Sequence, residues 1–309
     1  MNVNNNELVA HAEAALLAYA RQGVIPDWSL CSSQVWSIAL AQVVSQVTLI
    51  ALQRCTNLVS LRFPTDQHAQ FMVALCRQAL LLQPVIPFHE RNSRDFLPFE
   101  IPGNDTAILV FCGGSHRVGF PLSLAHQWFG SLDATVIYLF DDTNTFYFNG
   151  LASIGGGFEQ TVDFLRQQLQ AMGITSLYCY GSSLGTYAAI RFASVLKAVG
   201  VLAFAGPTNL TPDFLIANQI YPKRLPLVLT EMENALDLRQ LMLQVAAPPQ
   251  VTLFFGELNN TDSIQAANLA GLANVCLTPV AGVSEHNVVR DVILNENWLT
   301  ALRRWRGFI

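Results

Sequence analysis

The sequence is short of charge. Of its 309 residues only 13% are charged, against about 25% in an ordinary soluble domain. Lysine is almost missing: of 17 basic residues only Lys197 and Lys223 are lysines. No basic block exists, and the densest cluster is Arg303-Arg304-Trp305-Arg306. That cluster reads as the charged end of a last helix, where cations suit the dipole. With a net charge of -5, the chain lacks the electrostatic footprint of a nucleic-acid binder.

The six cysteines include no C-x-x-C pair. Most sit in apolar runs such as Leu177-Tyr178-Cys179-Tyr180. They read as buried free thiols, not as a disulfide frame or a zinc site. Met1-Asn2-Val3-Asn4-Asn5-Asn6 has neither the basic nor the apolar segment of a secretory signal, so a cytoplasmic location is expected. Asp141-Asp142 has no third clustered ligand, which makes it a poor metal site. Gly155-Gly156-Gly157 precedes a helix but lacks the Lys-Ser/Thr of a phosphate loop. Neither a metal nor a cofactor is expected.

What the sequence has is apolar material: 51% of residues are hydrophobic and the mean hydropathy is +0.34. That supports a large core and excludes a disordered chain. The low charge leaves two readings open. Either some surface is covered, by a second copy, a lid or a lipid-like ligand, or the surface is built from Gln, Ser and Asn. Trp28 to Gln53 carries no charge and is long enough to span a bilayer. Yet Trp36, Leu40, Val43, Val47 and Ile50 form one helical stripe, with Gln34, Ser37, Gln42, Ser45 and Thr48 opposite. Gln34, Gln42, Gln46 and Gln53 would be costly in lipid. A packed helix is expected there, and no transmembrane segment.

The pattern divides the chain into a helical region over 1–100 and an α/β region over 101–309. Helices are expected at Glu7–Arg21, Gln34–Arg54 and Gln67–Leu82, the last capped by Thr65 or Asp66. Asn57–Phe63 alternates and reads as a strand. Beyond 101, apolar strands are expected at Ala107–Cys112, Thr135–Phe140, Ser176–Tyr180, Gly200–Phe204, Val251–Phe255 and Val275–Pro279. Helices are expected at Leu122–Phe129, Phe158–Met172, Leu184–Leu196, Glu231–Val245, Ser263–Ala273 and Asn287–Arg304. Unbroken apolar strands alternating with helices predict a mostly parallel sheet sandwiched by helices. Its chemistry belongs outside the carboxyl ends of the strands.

Gly181-Ser182-Ser183-Leu184-Gly185 sits there, after a strand and before a helix, and fits G-x-S-x-G. In such a turn small neighbours let the helix pass the strand, and the serine hydroxyl projects above the sheet. Ser183 is the candidate nucleophile; Ser182 replaces it only if the register shifts by one. A serine needs a general base. Of the six histidines only His286 follows the last strand and precedes the final helix. The acid should follow Val251–Phe255, in Gly256-Glu257-Leu258-Asn259-Asn260-Thr261-Asp262. Asp262 is favoured, although it could be only the next helix's N-cap. Glu257 and Asn259 are the alternatives, and Asp213 is an outside candidate. Leu184 N–H points where an oxyanion would form, and Gly114 or Ser115 in Gly113-Gly114-Ser115-His116-Arg117 supplies the second donor. His116 and Arg117 either border the pocket, contacting a substrate carboxylate, phosphate or sugar, or are solvated.

The elbow, the Gly-Gly loop after the first strand and the terminal His resemble the α/β-hydrolase superfamily over roughly residues 101–309. Val110 through Phe120-Pro121, Asp141-Asp142 and Phe146-Tyr147-Phe148-Asn149-Gly150 are further similar to bacterial hydrolase-like proteins associated with surface glycans. The resemblance implies a serine enzyme acting on a small-molecule or glycan acyl substrate. Asn259 departs from the superfamily's commonest acid position. Three functions are therefore carried forward: hydrolysis of an ester, thioester or similar acyl bond, acyl transfer to a sugar, and non-catalytic partner binding on the same scaffold.

Overall fold

The computed structural model describes residues 5–43, 46–80, 88, 95–114, 116–155, 157–220, 236–295 and 305. They group into two compact units, Met1–Glu90 with Pro121–Ser131, and Arg91–Phe120 with Leu132–Ile309.

The first unit is helical: α1 (Asn5–Gln22), α2 (Ser33–Val43), α3 (Leu49–Arg62), α4 (Gln67–Leu80) and α5 (Leu122–Gly130). α1 packs on α2, α3 on α4, and α5 against α4. Two expectations are corrected here. The run Gln34–Arg54 is not one helix. Thr48 caps α3, its hydroxyl accepting from the Ala51 N–H at 3.3 Å, and a cap residue in extended backbone starts a helix anew. The interruption bears on the charge-free run: among the described residues no helix is long and apolar enough to cross a membrane. Asn57–Phe63 is not a strand but lies largely in α3. Leu52, Cys55, Thr56 and Val59 are all buried, a helical spacing that outweighs the short alternation. Asp66 caps α4, accepting from the Ala69 N–H at 2.9 Å. Residues 81 and 82 lie outside the described residues.

The second unit carries the sheet. Its elements are β1 (Phe96–Phe99), β2 (Thr106–Phe111), β3 (Thr135–Leu139), α6 (Phe158–Ala171), β4 (Ser176–Ser182), α7 (Leu184–Leu196), β5 (Gly200–Phe204), α8 (Pro212–Ala217), α9 (Leu238–Gln244), β6 (Gln250–Gly256), α10 (Asn260–Ala267), β7 (Val275–Val280) and α11 (Val288–Asn295). The strand order is β1-β3-β2-β4-β5-β6-β7. Only β1 is antiparallel to its neighbour. One face is covered by α6, α7, α9 and α10: Leu109, Phe111, Cys179, Val201 and Leu253 share a core with Val162, Leu165, Phe192, Met242 and Ala266. Ile108, Val110, Tyr138, Tyr180 and Leu202 are buried as well. Burial of successive residues is why these strands read as unbroken apolar runs.

The division at residue 100 shifts in two respects. Phe96–Phe99 belongs to the sheet, and its Pro98 is tolerated because β1 is an edge strand. Leu122–Phe129, expected among the helices of the α/β part, groups with the N-terminal helices. The start of the helix read over Glu231–Val245 lies outside the described residues up to 235, and α9 begins at Leu238. Of the last helix, residues 296–304 lie outside them, as does Arg306.

Candidate active site

Ser183 stands between β4 and α7 with φ 55° and ψ −121°. That is left-handed backbone for a residue with a side chain, a strain that clusters at functional sites. Two glycines make the turn possible. A Cβ on Gly181 would lie 2.4 Å from the Gly185 carbonyl oxygen, and one on Gly185 would lie 2.0 Å from that of Phe111. Helix α7 therefore passes directly against β4 and β2. The Ser183 N–H donates to the Phe204 carbonyl at 2.9 Å, and the Thr186 hydroxyl reaches the Ala205 carbonyl at 2.6 Å. Both ties hold the turn to the end of β5. Ser182 ends β4 and is buried.

His286 follows β7 and stands over this turn. Its Nε2 is 2.8 Å from Ser183 Oγ. Its Nδ1 is 3.0 Å from Oδ1 and 3.0 Å from Oδ2 of Asp262. The Asp262 side chain is 3% exposed, that of His286 49%. The hydrogen bond to Asp262 is the largest influence on His286 and raises its pKa above the ordinary 6.5; partial burial opposes this and the Asp262 charge adds to it.

The neighbours of Asp262 explain how it is freed for this contact. It does not cap α10. The helix starts three residues earlier than read from sequence, and Asn259 is the N-cap, its Oδ1 accepting from the Asp262 N–H at 3.0 Å. The Asn259 amino group donates to the Ser284 carbonyl at 3.1 Å. Glu257 accepts from the Gly282 N–H at 2.9 Å. Leu258 N–H donates to the Val283 carbonyl at 2.9 Å. Both alternative acids are thus occupied in stitching the β6 loop to the β7 loop that carries His286. Asp213 is exposed in the first turn of α8. Asn287, beside the histidine, donates to the Gly119 carbonyl at 2.8 Å.

On the other side of Ser183 lies the loop after β2. Gly113 N–H donates to Arg117 O at 2.8 Å and His116 N–H to Gly113 O at 2.9 Å, folding the loop back on itself. Gly113 comes close to Ser183: a Cβ on it would lie 3.5 Å from Ser183 Cβ. Gly114 follows, facing the same space as Leu184, whose N–H is the first in α7 and so has no intrahelical partner. Ser115 lies outside the described residues.

The cavity beside Ser183 has a volume of about 690 Å³. Its apolar wall is Phe146, Leu184, Pro207, Leu210, Leu215 and Ile220, and Gly114, Asn144, Gln219 and His286 add polar groups. His116 and Arg117 are not among its walls. His116 Nε2 instead pairs with Asp142 Oδ1 at 3.3 Å. The Asp141 carboxylate accepts from the Tyr147 N–H at 2.9 Å and the Thr143 hydroxyl at 2.6 Å, so it braces its own loop. Gly157 precedes α6, and Gly156 lies outside the described residues. Among the described residues no group of three His, Cys, Asp or Glu side chains could hold a metal. Sequence reasoning missed Asn144, Phe146 and Gln219. All three have positive φ, a conformation no local pattern announced.

No family model matches the sequence and no curated protein resembles it. Solved structures do resemble the fold. An α/β hydrolase from a sediment metagenome of the Mar Chica lagoon, Morocco, is 13% identical, covers 71% of this chain and 97% of its own, and gives a TM-score of 0.47. The capsule O-acetyltransferase of Neisseria meningitidis serogroup A is 14% identical over 70% of this chain and 99% of its own, with a TM-score of 0.47. The fluorophosphonate-binding serine hydrolase F of Staphylococcus aureus is 12% identical over 71% and 95%, with a TM-score of 0.44. At such identity the likeness concerns the arrangement of strands and helices, and activity has to be argued from the site.

Proposed function

We propose that this chain is a serine hydrolase of the α/β-hydrolase type, cleaving an ester, thioester or similar acyl bond through an acyl-enzyme on Ser183. The observation that carries the reading is the unbroken contact from Ser183 Oγ through the His286 ring to Asp262, at 2.8 and 3.0 Å, on the edge of an apolar cavity. With Asp262 accepting from Nδ1–H, the neutral imidazole leaves Nε2 as an acceptor for the Ser183 hydroxyl. Attack forms the Oγ–C bond, Nε2 takes the hydroxyl proton, and the carbonyl π pair moves to its oxygen. The N–H groups of Leu184 and Gly114, with Ser115 as the alternative to Gly114, stabilise that oxygen. Collapse breaks the bond to the leaving group, which takes the proton from Nε2. Water then attacks the acyl carbon while the same nitrogen takes its proton, and collapse breaks the C–Oγ bond, releasing the carboxylic acid as Nε2 returns the proton to Ser183 Oγ. The walls formed by Phe146, Leu210, Leu215 and Ile220 favour an apolar acyl group.

A binding protein on this scaffold would have no need of a buried carboxylate aimed at His286, which favours catalysis over partner recognition. A sugar hydroxyl could replace water as the acyl acceptor without any change in these roles. The free thiols Cys31, Cys55, Cys76, Cys112 and Cys179 are buried, and burial pushes Cys55 up to about 11 and Cys76 to about 12. Inert thiols of this kind suit a reducing compartment and support a cytoplasmic location.

A fluorophosphonate probe tests the reading. The folded protein should be labelled once, on Ser183, and Ser183→Ala should not be labelled. Folded wild-type protein that resists the probe and leaves short- and medium-chain aryl esters intact would contradict it.

A further inference from the structure

The segment from Asn144 to Tyr147, after β3, is built at a conformational cost. Asn144, Phe146 and Tyr147 have φ of 53°, 58° and 58°. Non-glycine residues persist in that region only where the surroundings force them. The surroundings are explicit. The Asp141 carboxylate holds the Thr143 and Tyr147 N–H groups at 3.1 and 2.9 Å. The Tyr147 hydroxyl lies 2.7 Å from the Leu139 carbonyl and 3.0 Å from that of Cys112. The segment is thereby fixed to the residue just before Gly113-Gly114. What this bracing delivers is Phe146 and Asn144 in the cavity wall.

Asn144 is the unexplained one. Its Oδ1 is buried with no hydrogen-bond partner. It lies 2.9 Å from where a Cβ on Gly114 would be, and a Leu184 side-chain carbon is 4.0 Å from the same point. A buried acceptor left unmatched forfeits its hydration with no bond to offset the loss. Glycine would satisfy the backbone here without orphaning an oxygen. The carboxamide therefore calls for another role. With Oδ1 shut in against the Gly114 loop, the polar group Asn144 can present to a bound acyl group is its amino group, which has no protein partner among the described residues.

We propose that the Asn144 carboxamide is a catalytic residue, a side-chain donor to the oxyanion alongside the N–H groups of Leu184 and Gly114. The proposal rests on the serine-hydrolase reading above. A neutral amide fixed by a rigid loop suits this task, because it is oriented before charge develops on the acyl oxygen. It contributes little to binding the ground-state carbonyl and more to the transition state.

The test compares wild type, Asn144→Gly, Asn144→Asp and Ser183→Ala on an aryl ester, with melting curves and the rate of fluorophosphonate labelling. Asn144→Gly keeps a residue at ease with positive φ, so it separates the amide from the backbone. Expected is a fall in kcat of about 10²-fold with KM little changed, slower labelling, and an unchanged melting midpoint. Asn144→Asp, which offers no donor, should fall at least as far. Folded Asn144→Gly and Asn144→Asp proteins within twofold of wild type overturn the proposal, and so does failure of both to fold, which would make the residue structural. Wild type that neither labels nor turns over overturns the serine-hydrolase reading and this proposal with it. Wild type that labels, with Ser183→Ala silent, leaves only Asn144 at issue.

Discussion

The two sides of Ser183 are built differently. On the side of β6 and β7 the residues around Asp262 and His286 are engaged: Asp262 meets His286, Asn259 caps α10 and holds Ser284, and Glu257 holds Gly282. On the side of β2 and β3 the backbone is strained at Asn144, Phe146 and Tyr147, and the Asn144 oxygen is orphaned. On the proposed reading one side is satisfied at rest, while the other holds donors for a charge that develops only during the reaction. Proton transfer needs a base already in contact with its proton. Oxyanion stabilisation needs donors that are not spent on the ground state.

That contrast breaks most easily at the nucleophile, where both sides meet. Ser183→Ala should lower kcat on an aryl ester about 10⁴-fold or more, and residual turnover near wild type would dissolve it. Asp262→Asn should come next, with kcat down about 10⁴-fold. The same variant moves a second observable. Activity requires neutral His286, so it should rise with pH through a midpoint above 6.5, because the Asp262 hydrogen bond raises that pKa. Removing the charge should shift the midpoint down. The folding contribution has the opposite slope: a raised folded-state pKa adds stability below 6.5 that fades as pH climbs through the folded value. A midpoint that stays put in Asp262→Asn would sever the acid from the base.

Smaller effects sharpen the comparison. Changes at Asn144 should cost about 10²-fold in kcat and little stability. Asn259→Ala should do the reverse, costing about 1 kcal/mol in a denaturant titration through the lost cap while leaving the order of magnitude of kcat intact. If Asn259→Ala were instead as damaging to kcat as Asp262→Asn, the acid would have been assigned to the wrong residue of the β6 loop.

The central strands were legible because they are buried on both faces and stand out as apolar runs; Gly200–Phe204 begins and ends where the residues say. The elbow was legible because close approach demands glycine at 181 and 185 whatever else varies. The place of Asp262 was harder. Asn259 and Asp262 are both cap-favouring types, and local sequence does not say which one caps. Burial of Asp262 and the tether from Asn259 to Ser284 decide it, and both depend on a loop some 25 residues away. Asn144 was not legible at all. A single Asn in a loop gives no periodicity, and its position follows from the Tyr147 hydroxyl reaching back to Cys112. In the helical unit, Asn57–Phe63 misled because the alternation is short: of its seven residues only Val59 is buried, and it continues the helical stripe of Leu52, Cys55 and Thr56.

The most direct test is to catch the covalent intermediate. The protein would be mixed with an aryl ester carrying a medium-length acyl chain, acid-quenched within the first turnovers, digested and weighed. The account predicts the acyl mass on the peptide containing Ser183, and none on any peptide of Ser183→Ala. Turnover without that adduct, or an adduct on another residue of the folded wild type, would contradict it.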